Sequence, residues 1–540
     1  MNKYFISIIF IAILLVGLNN TINAQVWSKS FEAGNFDSNN NLLGGSEVLQ
    51  LIGHKNILFA SIGYWEDENN IWYGGTNLNL GWGQIIRLDN SDGQWQEDHF
   101  LAASYLRPEI LKQVIFNKDA FGDSLDVPDT LLIAAAYSPN FITNKVTATS
   151  FTRNDSDGTW YEAEIYQGGL PAGENYSIRD IEIYTDKITG IENIYISVGT
   201  KGIFKGKYNP STPGKVDWVS TPEIGPLSIR SLGITISNNT LYFSSGYNIY
   251  KRNDGILPTY TIAHEFSDLS TNINSAVGGI RGLTTIANPN NSNEGLLLMW
   301  CPDGQSSGVI YRLEPDGKEG FSRFYESKFS SLVENYLPGS NVKYLLGGYN
   351  EFYEYVDPLT FDTVHLVGFE AVISGGGYPT WNDYYRGALF AKRDANMQYS
   401  LHEINGATGI NDKALVANRC YVKSPFANEN AIYFGGFDPN GNTATNMAWI
   451  FKQDNQTTST IEPILQNFEF TIYPNPAVDF LNVEFESNAC LQYEIITILG
   501  ETMATDIVCS PEHIIDISEL TPNVYILKIR DKMYKFIKSE

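Results

Sequence analysis

Five arginines recur in similar settings, as Leu106-Arg107-Pro108, Ile178-Arg179-Asp180, Ile229-Arg230-Ser231, Ile280-Arg281-Gly282 and Asn418-Arg419-Cys420, each opening an alternating apolar segment. A guanidinium grips a carboxylate or sulfate through two parallel hydrogen bonds, so five of them brought together would make an anion site. The formal net charge of −25 sets such a site apart from the rest of the chain. The structural alternative, which the sequence favours, pairs each arginine with a neighbouring repeat's Asp, Glu or backbone carbonyl. Two aromatic-rich insertions follow. One runs from Tyr64 to Tyr73 and on to Trp82, carrying Trp65 and Trp72; the other spans Tyr378–Arg386 and carries Tyr378, Trp381, Tyr385 and Arg386. Exposed Trp and Tyr beside Asn and Asp suit sugar rings, whose C–H faces stack on aromatics while hydroxyls bond the polar groups. The alternative is that these aromatics fold inward as cover.

Other chemistry is thinly represented. His54, His99, His264, His365, His402 and His513 are scattered, with no HxH or HExxH spacing. His264 or His402 could serve as a base only if the fold brought a Tyr acid and an Arg clamp to it. No nucleophile elbow, phosphate loop or metal-ligand cluster is present, so no cofactor and no metal are expected. Asp155-Ser156-Asp157-Gly158-Thr159-Trp160 resembles a degenerate Asp-box of sialidase-type propellers, one spacer short, and neither it nor Asp438–Asn442 has the spacing of a calcium loop. Of the four cysteines, Cys301 and Cys420 lie on apolar strands and are expected to be buried thiols; Cys490 and Cys509 share the C-terminal region and are close enough in sequence to pair.

The elements that would position these residues are β-strands. Thr147–Tyr166 reads as a hairpin around an Asp157-Gly158 turn, and the same strand, acidic turn and strand recur near Asp92-Gly93, Asp254-Gly255 and Asp316-Gly317, at intervals of about 40–65 residues. This is the signature of a β-propeller of four-stranded blades. Second strands are expected at Ile57–Ala60, Leu131–Ala134, Ile194–Ser197, Leu241–Ser244, Leu296–Met299, Tyr344–Gly347 and Ile432–Gly435, which gives seven blades. Third strands near Arg87, Arg153, Lys205, Lys251, Arg312, Glu354, Lys392 and Lys452 give eight, the count that is favoured. The last repeat lacks a fourth strand, and Val26–Glu32 is expected to supply it, removing two free edges. First strands line a propeller's channel, which would place the five arginines around one mouth.

Met1–Ala24 reads as a secretory signal peptide, with Lys3 in the n-region and an apolar run, Ile6–Leu18, too short to span a bilayer. The mature chain is thus expected to have no membrane span, and its acidity argues against nucleic acid. The expected organisation is signal peptide 1–24, propeller 25–453, polar linker 454–467 and a small antiparallel β-sandwich over 468–540. That last region carries Tyr473-Pro474-Asn475-Pro476-Ala477, Leu481–Phe485, Ile495–Gly500, Ile515–Leu520 and Val524–Ile529 in order. These motifs resemble the type A C-terminal sorting domain of the Bacteroidetes type IX (Por) secretion system. Asn523 stands where that family usually has Gly and Thr497 where Asp is common; Asn tolerates positive φ, so the turn before Val524 is expected to survive. The resemblance implies that residues 468–540 engage the type IX machinery and that the protein reaches the cell surface or medium. Three functions remain open: a secreted binding module for polysaccharide, which the arginines and aromatics favour; a polysaccharide lyase or glycoside hydrolase at the channel mouth; and an adhesion protein with a protein partner.

Overall fold

The computed structural model describes residues 26–64, 82–102, 104–170, 175–275, 277–288, 293–302, 308–357, 360–375, 384–404, 416–437, 446–454, 470–485, 491–497, 502–508, 512–529 and 532–539. Two compact units separate, one over Ala24–Asn455 and one containing Gln456–Glu540.

The larger unit is a propeller of seven blades, whose inner strands begin with Glu47–His54, Ile110–Lys118, Ile178–Thr185, Ser231–Ser237, Gly279–Ala287, Ser340–Gly347 and Ala417–Lys423. The second strands are almost wholly buried, as in Glu192–Val198 and Ala431–Phe437, because each is covered on both faces by neighbouring blades. Seven apolar clusters hold the ring, one at each junction. Phe59, Ile85, Leu111 and Leu132 join blades one and two. Phe116, Ile133, Ile194 and Phe204 join two and three, and the series continues through blades three and four, four and five, five and six, six and seven, and back from seven to one.

The favoured count of eight is therefore corrected to seven. Glu354 does not lie on a third strand. Its strand, Tyr353–Val356, pairs with the same partner, Thr363–Gly375, as does Ser340–Gly347. The inner strand of blade six is thus broken in two, and Tyr344–Gly347 belongs to it rather than to a second strand. The second strand is Thr363–Gly375, which contains Ala371–Ser374.

The N-terminal strand Val26–Glu32 pairs antiparallel with Trp449–Asp454 as the outer strand of blade seven. Trp27 packs edge-on against Phe434, centroids 4.8 Å apart. The acidic turns serve as clasps between blades. Arg153 bonds Asp98 of blade one and its own turn's Asp155, whose other oxygen meets His54. Arg252 does the same between Asp186, Glu223 and Asp254. Asp155 is thereby committed to protein partners, and Gly158 takes the positive φ of 77° that the turn needs.

The second unit has a three-stranded sheet, Phe470–Tyr473, Phe480–Phe485 and Glu512–Asp516, and a four-stranded sheet of Thr502–Val508, Leu491–Thr497, Asn523–Ile529 and Lys532–Lys538. Its core includes Leu481, Val483, Ile515, Tyr525 and Leu527. Asn523 is not among the residues with positive φ; instead its side-chain oxygen accepts the Val524 amide. The chain turns ahead of Val524 as expected, without a positive φ at Asn523. Cys301 and Cys420 are buried free thiols. Cys490 and Cys509, like residues 1–24 and 455–469, lie outside the described residues.

Candidate functional site

Inner strands of six blades shift register near their starts, at Val48/Gln50, Ile178/Ile181, Ser231/Gly233, Arg281/Thr284, Val342/Tyr344 and Asn418/Cys420. A bulge adds a residue and re-aims its side chain. Arg179 and Arg419 occupy two of these bulges, and Arg281 opens a third. Arg107 and Arg230 stand just before their strands.

The five arginines do gather in the channel, and most are engaged from within. Arg107 is buried between Glu47, at 2.5 Å, and Glu109, at 2.8 Å. Arg281 donates to the carbonyls of Gly347 and Val277 at 2.8 and 2.7 Å. Arg230 donates to the Ser177 hydroxyl. Arg419 lies 3.4 Å from Glu47 and 3.9 Å from Glu370. Arg179 contacts no carboxylate among the described residues; its guanidinium sits over the Tyr349 ring at 4.4 Å, and Arg419 sits over the same ring at 4.0 Å.

Tyr349 belongs to Gly348–Phe352, the five residues that break the inner strand of blade six and cross the channel as a plug. The crossing starts at Gly348, whose φ of +60° suits glycine. Asn350 donates to the Leu49 carbonyl at 2.8 Å and the Arg419 carbonyl at 3.0 Å, and accepts from Gln50 at 2.9 Å. The Phe352 amide donates to the Thr284 hydroxyl at 2.8 Å. Five residues thereby reach blades one, two, three, five and seven.

Beyond the plug, toward the ends of the inner strands, lies a cavity of about 360 Å³ lined by Gln50, Lys112, Arg179, Asp180, Thr284, Asn350, Glu351, Arg419 and the rings of Tyr349, Phe352, Tyr353 and Tyr421. Three carboxylates converge there on one ammonium: Lys112 Nζ is 2.6 Å from Glu182, 3.0 Å from Glu351 and 3.2 Å from Asp180. The carboxylate oxygens lie within 4.8 Å of one another, a ligand-like spacing already filled by Lys112. Burial pushes the Asp180 carboxyl up to about 8, opposed by Lys112 and reinforced by Glu351 and Glu182. The Lys112 ammonium is held well above its ordinary value by these carboxylates, which outweigh its own burial.

The histidine-based site is not assembled. His264 and His402 sit on outer strands, bonded to the Phe321 carbonyl and to Ser400. His54 is enclosed by Gln113 and Asp155. Of the late insertion, Tyr385 donates to Glu403 at 2.9 Å and packs on the blade-six core, while Arg386 is exposed. Trp65, Trp72, Tyr378 and Trp381 lie outside the described residues. Sequence reasoning missed Lys112, Asp180, Tyr349, Asn350 and Glu351. The signal that could have found them is the Gly347-Gly348 pair followed by Tyr-Asn-Glu, a break inside an otherwise apolar strand.

Residues 471–539 match the family described as the secretion system C-terminal sorting domain. Among the described residues, no helix is long and apolar enough to cross a membrane. No curated protein matches the chain. Similar solved structures include an α-L-arabinanase of Penicillium chrysogenum complexed with arabinobiose, at 10% identity over 70% of this chain and 98% of that one, TM-score 0.35. A GH93 α-L-arabinofuranosidase of Fusarium graminearum shows 10% identity over 78% and 97%, TM-score 0.36. A protein of unknown function from Dyadobacter fermentans shows 9% over 79% and 99%, TM-score 0.34. At such identities and TM-scores these likenesses transfer neither ligand nor reaction.

Proposed function

We propose that this is an exported saccharide-binding module, its ligand seated in the channel cavity behind the Gly348–Phe352 plug. The leader 1–24 takes the chain across the inner membrane, and the sorting domain then directs it through type IX secretion to the cell surface or medium. The observation that carries the binding reading is the cavity itself. Its roughly 360 Å³ falls in the ~300–1,000 Å³ range of small-molecule sites. Its wall alternates aromatic faces, Tyr349, Phe352, Tyr353 and Tyr421, with the donors and acceptors Gln50, Lys112, Asn350 and Glu351. Rings and hydroxyls of a sugar call for that alternation. The test is a binding screen of the mature chain against neutral and acidic oligosaccharides, by calorimetry, with reducing ends assayed in parallel. Binding without product, weakened by Gln50→Ala and Glu351→Gln, supports the module; no binding to any saccharide refutes it.

One observation favours a second reading, a glycoside hydrolase. Asp180 and Glu351 both line the cavity, their carboxylate oxygens within 4.8 Å, and retaining glycosidases hold their two carboxyl groups about 5 Å apart. Asp180, pushed up to about 8, suits a proton donor at neutral pH. New reducing ends in the same screen, abolished by Asp180→Asn, would establish this reading.

A further inference from the structure

We propose that a small pocket within the arginine ring is a binding site for a small monovalent inorganic anion of the halide class, held by Arg281, Asn418 and Arg419. This site stands independently of the saccharide reading.

A second, much smaller cavity is bounded by Arg281, Tyr349, Glu370, Asn418 and Arg419, with room for one water-sized occupant. Two of its wall residues are buried and under-satisfied. Asn418 is 1% exposed, and neither its amide nitrogen nor its oxygen makes a hydrogen bond among the described residues. The Arg419 side chain is 8% exposed, and its Nε and Nη1 likewise lack hydrogen bonds. Its carboxylate neighbours at 3.4 and 3.9 Å stand beyond the ~2.7–2.9 Å of a charge-assisted bond. Buried donors left unpaired are costly, and native proteins rarely keep them so.

Charge points the same way. Four guanidiniums, those of Arg107, Arg230, Arg281 and Arg419, face three carboxylates, Glu47, Glu109 and Glu370. Glu109 is committed to Arg107 and to the Ile178 amide, and Glu47 is shared between Arg107 and Arg419. Burial pushes Glu370 upward, toward its neutral form. Arg281, whose own partners are backbone carbonyls, is pulled down to about 10 by burial and by Arg179 and Arg419. Arg230 is pulled down to about 9 by burial and by Arg281. A guanidinium does not release its proton inside a protein, so the unbalanced charge requires an anion. The donors come from two blades rather than as one fork, Arg281 from blade five and the consecutive Asn418 and Arg419 from blade seven, and the cavity has room for one small occupant. Both features fit a spherical halide better than an oxyanion.

The test uses the mature protein in sodium chloride, bromide or gluconate at equal ionic strength. A saturable rise of roughly 2 °C in the unfolding midpoint is expected in the halides over gluconate. Arg419→Gln should abolish that difference. Crystals grown in bromide should give an anomalous peak between Arg281 and Arg419, and this reading stands even if the variant does not fold. Equal midpoints in all three salts, or a bromide map with no peak in the ring, would overturn the proposal.

Discussion

Replacing Lys112 with methionine keeps its length and removes the charge that three carboxylates share. The wild-type ammonium touches Glu182, Glu351 and Asp180 at 2.6, 3.0 and 3.2 Å. Without it, oxygens within 4.8 Å of one another repel by about 3–4 kcal/mol per fully ionised pair at an effective dielectric of 20. Breaking a buried pair costs about 3–5 kcal/mol. Because Lys112 keeps 27% and Glu351 40% of their side-chain surface, solvent screening brings the expected loss to about 2–3 kcal/mol at pH 7. The sign with pH follows from proton counting. Burial already raises Asp180 and Glu182 against the opposing pull of Lys112, and losing that pull raises them further, so the native state holds more protons than the unfolded one in that window. Stability therefore rises as pH falls, and the loss should shrink toward pH 5. Calcium, which takes carboxylate oxygens as ligands, should restore the variant, by about 2.7 kcal/mol at a hundredfold excess over Kd, and leave the wild type unchanged. Urea unfolding followed by tryptophan fluorescence, at pH 5 and 7 with and without calcium, reads every term. A variant as stable as wild type at pH 7, or one equally weakened at both pH values, would refute the reasoning.

Asn350→Ala removes three hydrogen bonds between the plug and blades one and seven, and a loss of about 2–4 kcal/mol in the same urea assay is expected. A loss under about 0.5 kcal/mol would mean the plug is held by its rings alone. His365 is pulled down to about 4, from 6.5, by burial and by Arg393, and half-exposed Glu354 at 3.1 Å accepts from its ring. Its unfolded form takes a proton first, so the stability it contributes is complete above about pH 6.5 and is lost as pH falls toward 4. His365→Gln should flatten that acid limb by up to roughly 3 kcal/mol; an unchanged limb, measured by midpoint against pH, would assign it to other groups.

The propeller was readable because hairpin chemistry is local. Asp157-Gly158 and its counterparts announce their turns whatever surrounds them, and Val26–Glu32 shows the pattern of an unpaired fourth strand. The error at blade six has a physical cause. Gly347-Gly348 splits one inner strand, so each half mimics a strand of its own, and periodicity cannot distinguish a broken strand from two whole ones. The arginines were legible as a set because they recur at one place in the repeat. Their partners were not, since Glu47 and Arg107 meet only when blades one and two stand side by side. The Lys112 cluster was beyond reach for the same reason: its acids come from blade three and from the plug of blade six.

The strand Val26–Glu32 has a consequence for the order of folding. It is the first part of the propeller to be synthesised, yet its partner Trp449–Asp454 is the last. Until that final stretch is available, blade seven exposes a raw edge and blade one lacks half of its apolar junction, Phe31 with Ile450 and Tyr433. Closure is thus the most distant contact in the propeller, made at the greatest loop entropy. It also falls immediately before Gln456, where the second unit begins. A chain cut short anywhere in the propeller cannot close its ring, and one that lacks the sorting unit still can. Closure of the ring therefore needs every blade, and its last strand stands directly ahead of the segment that carries the sorting-domain match.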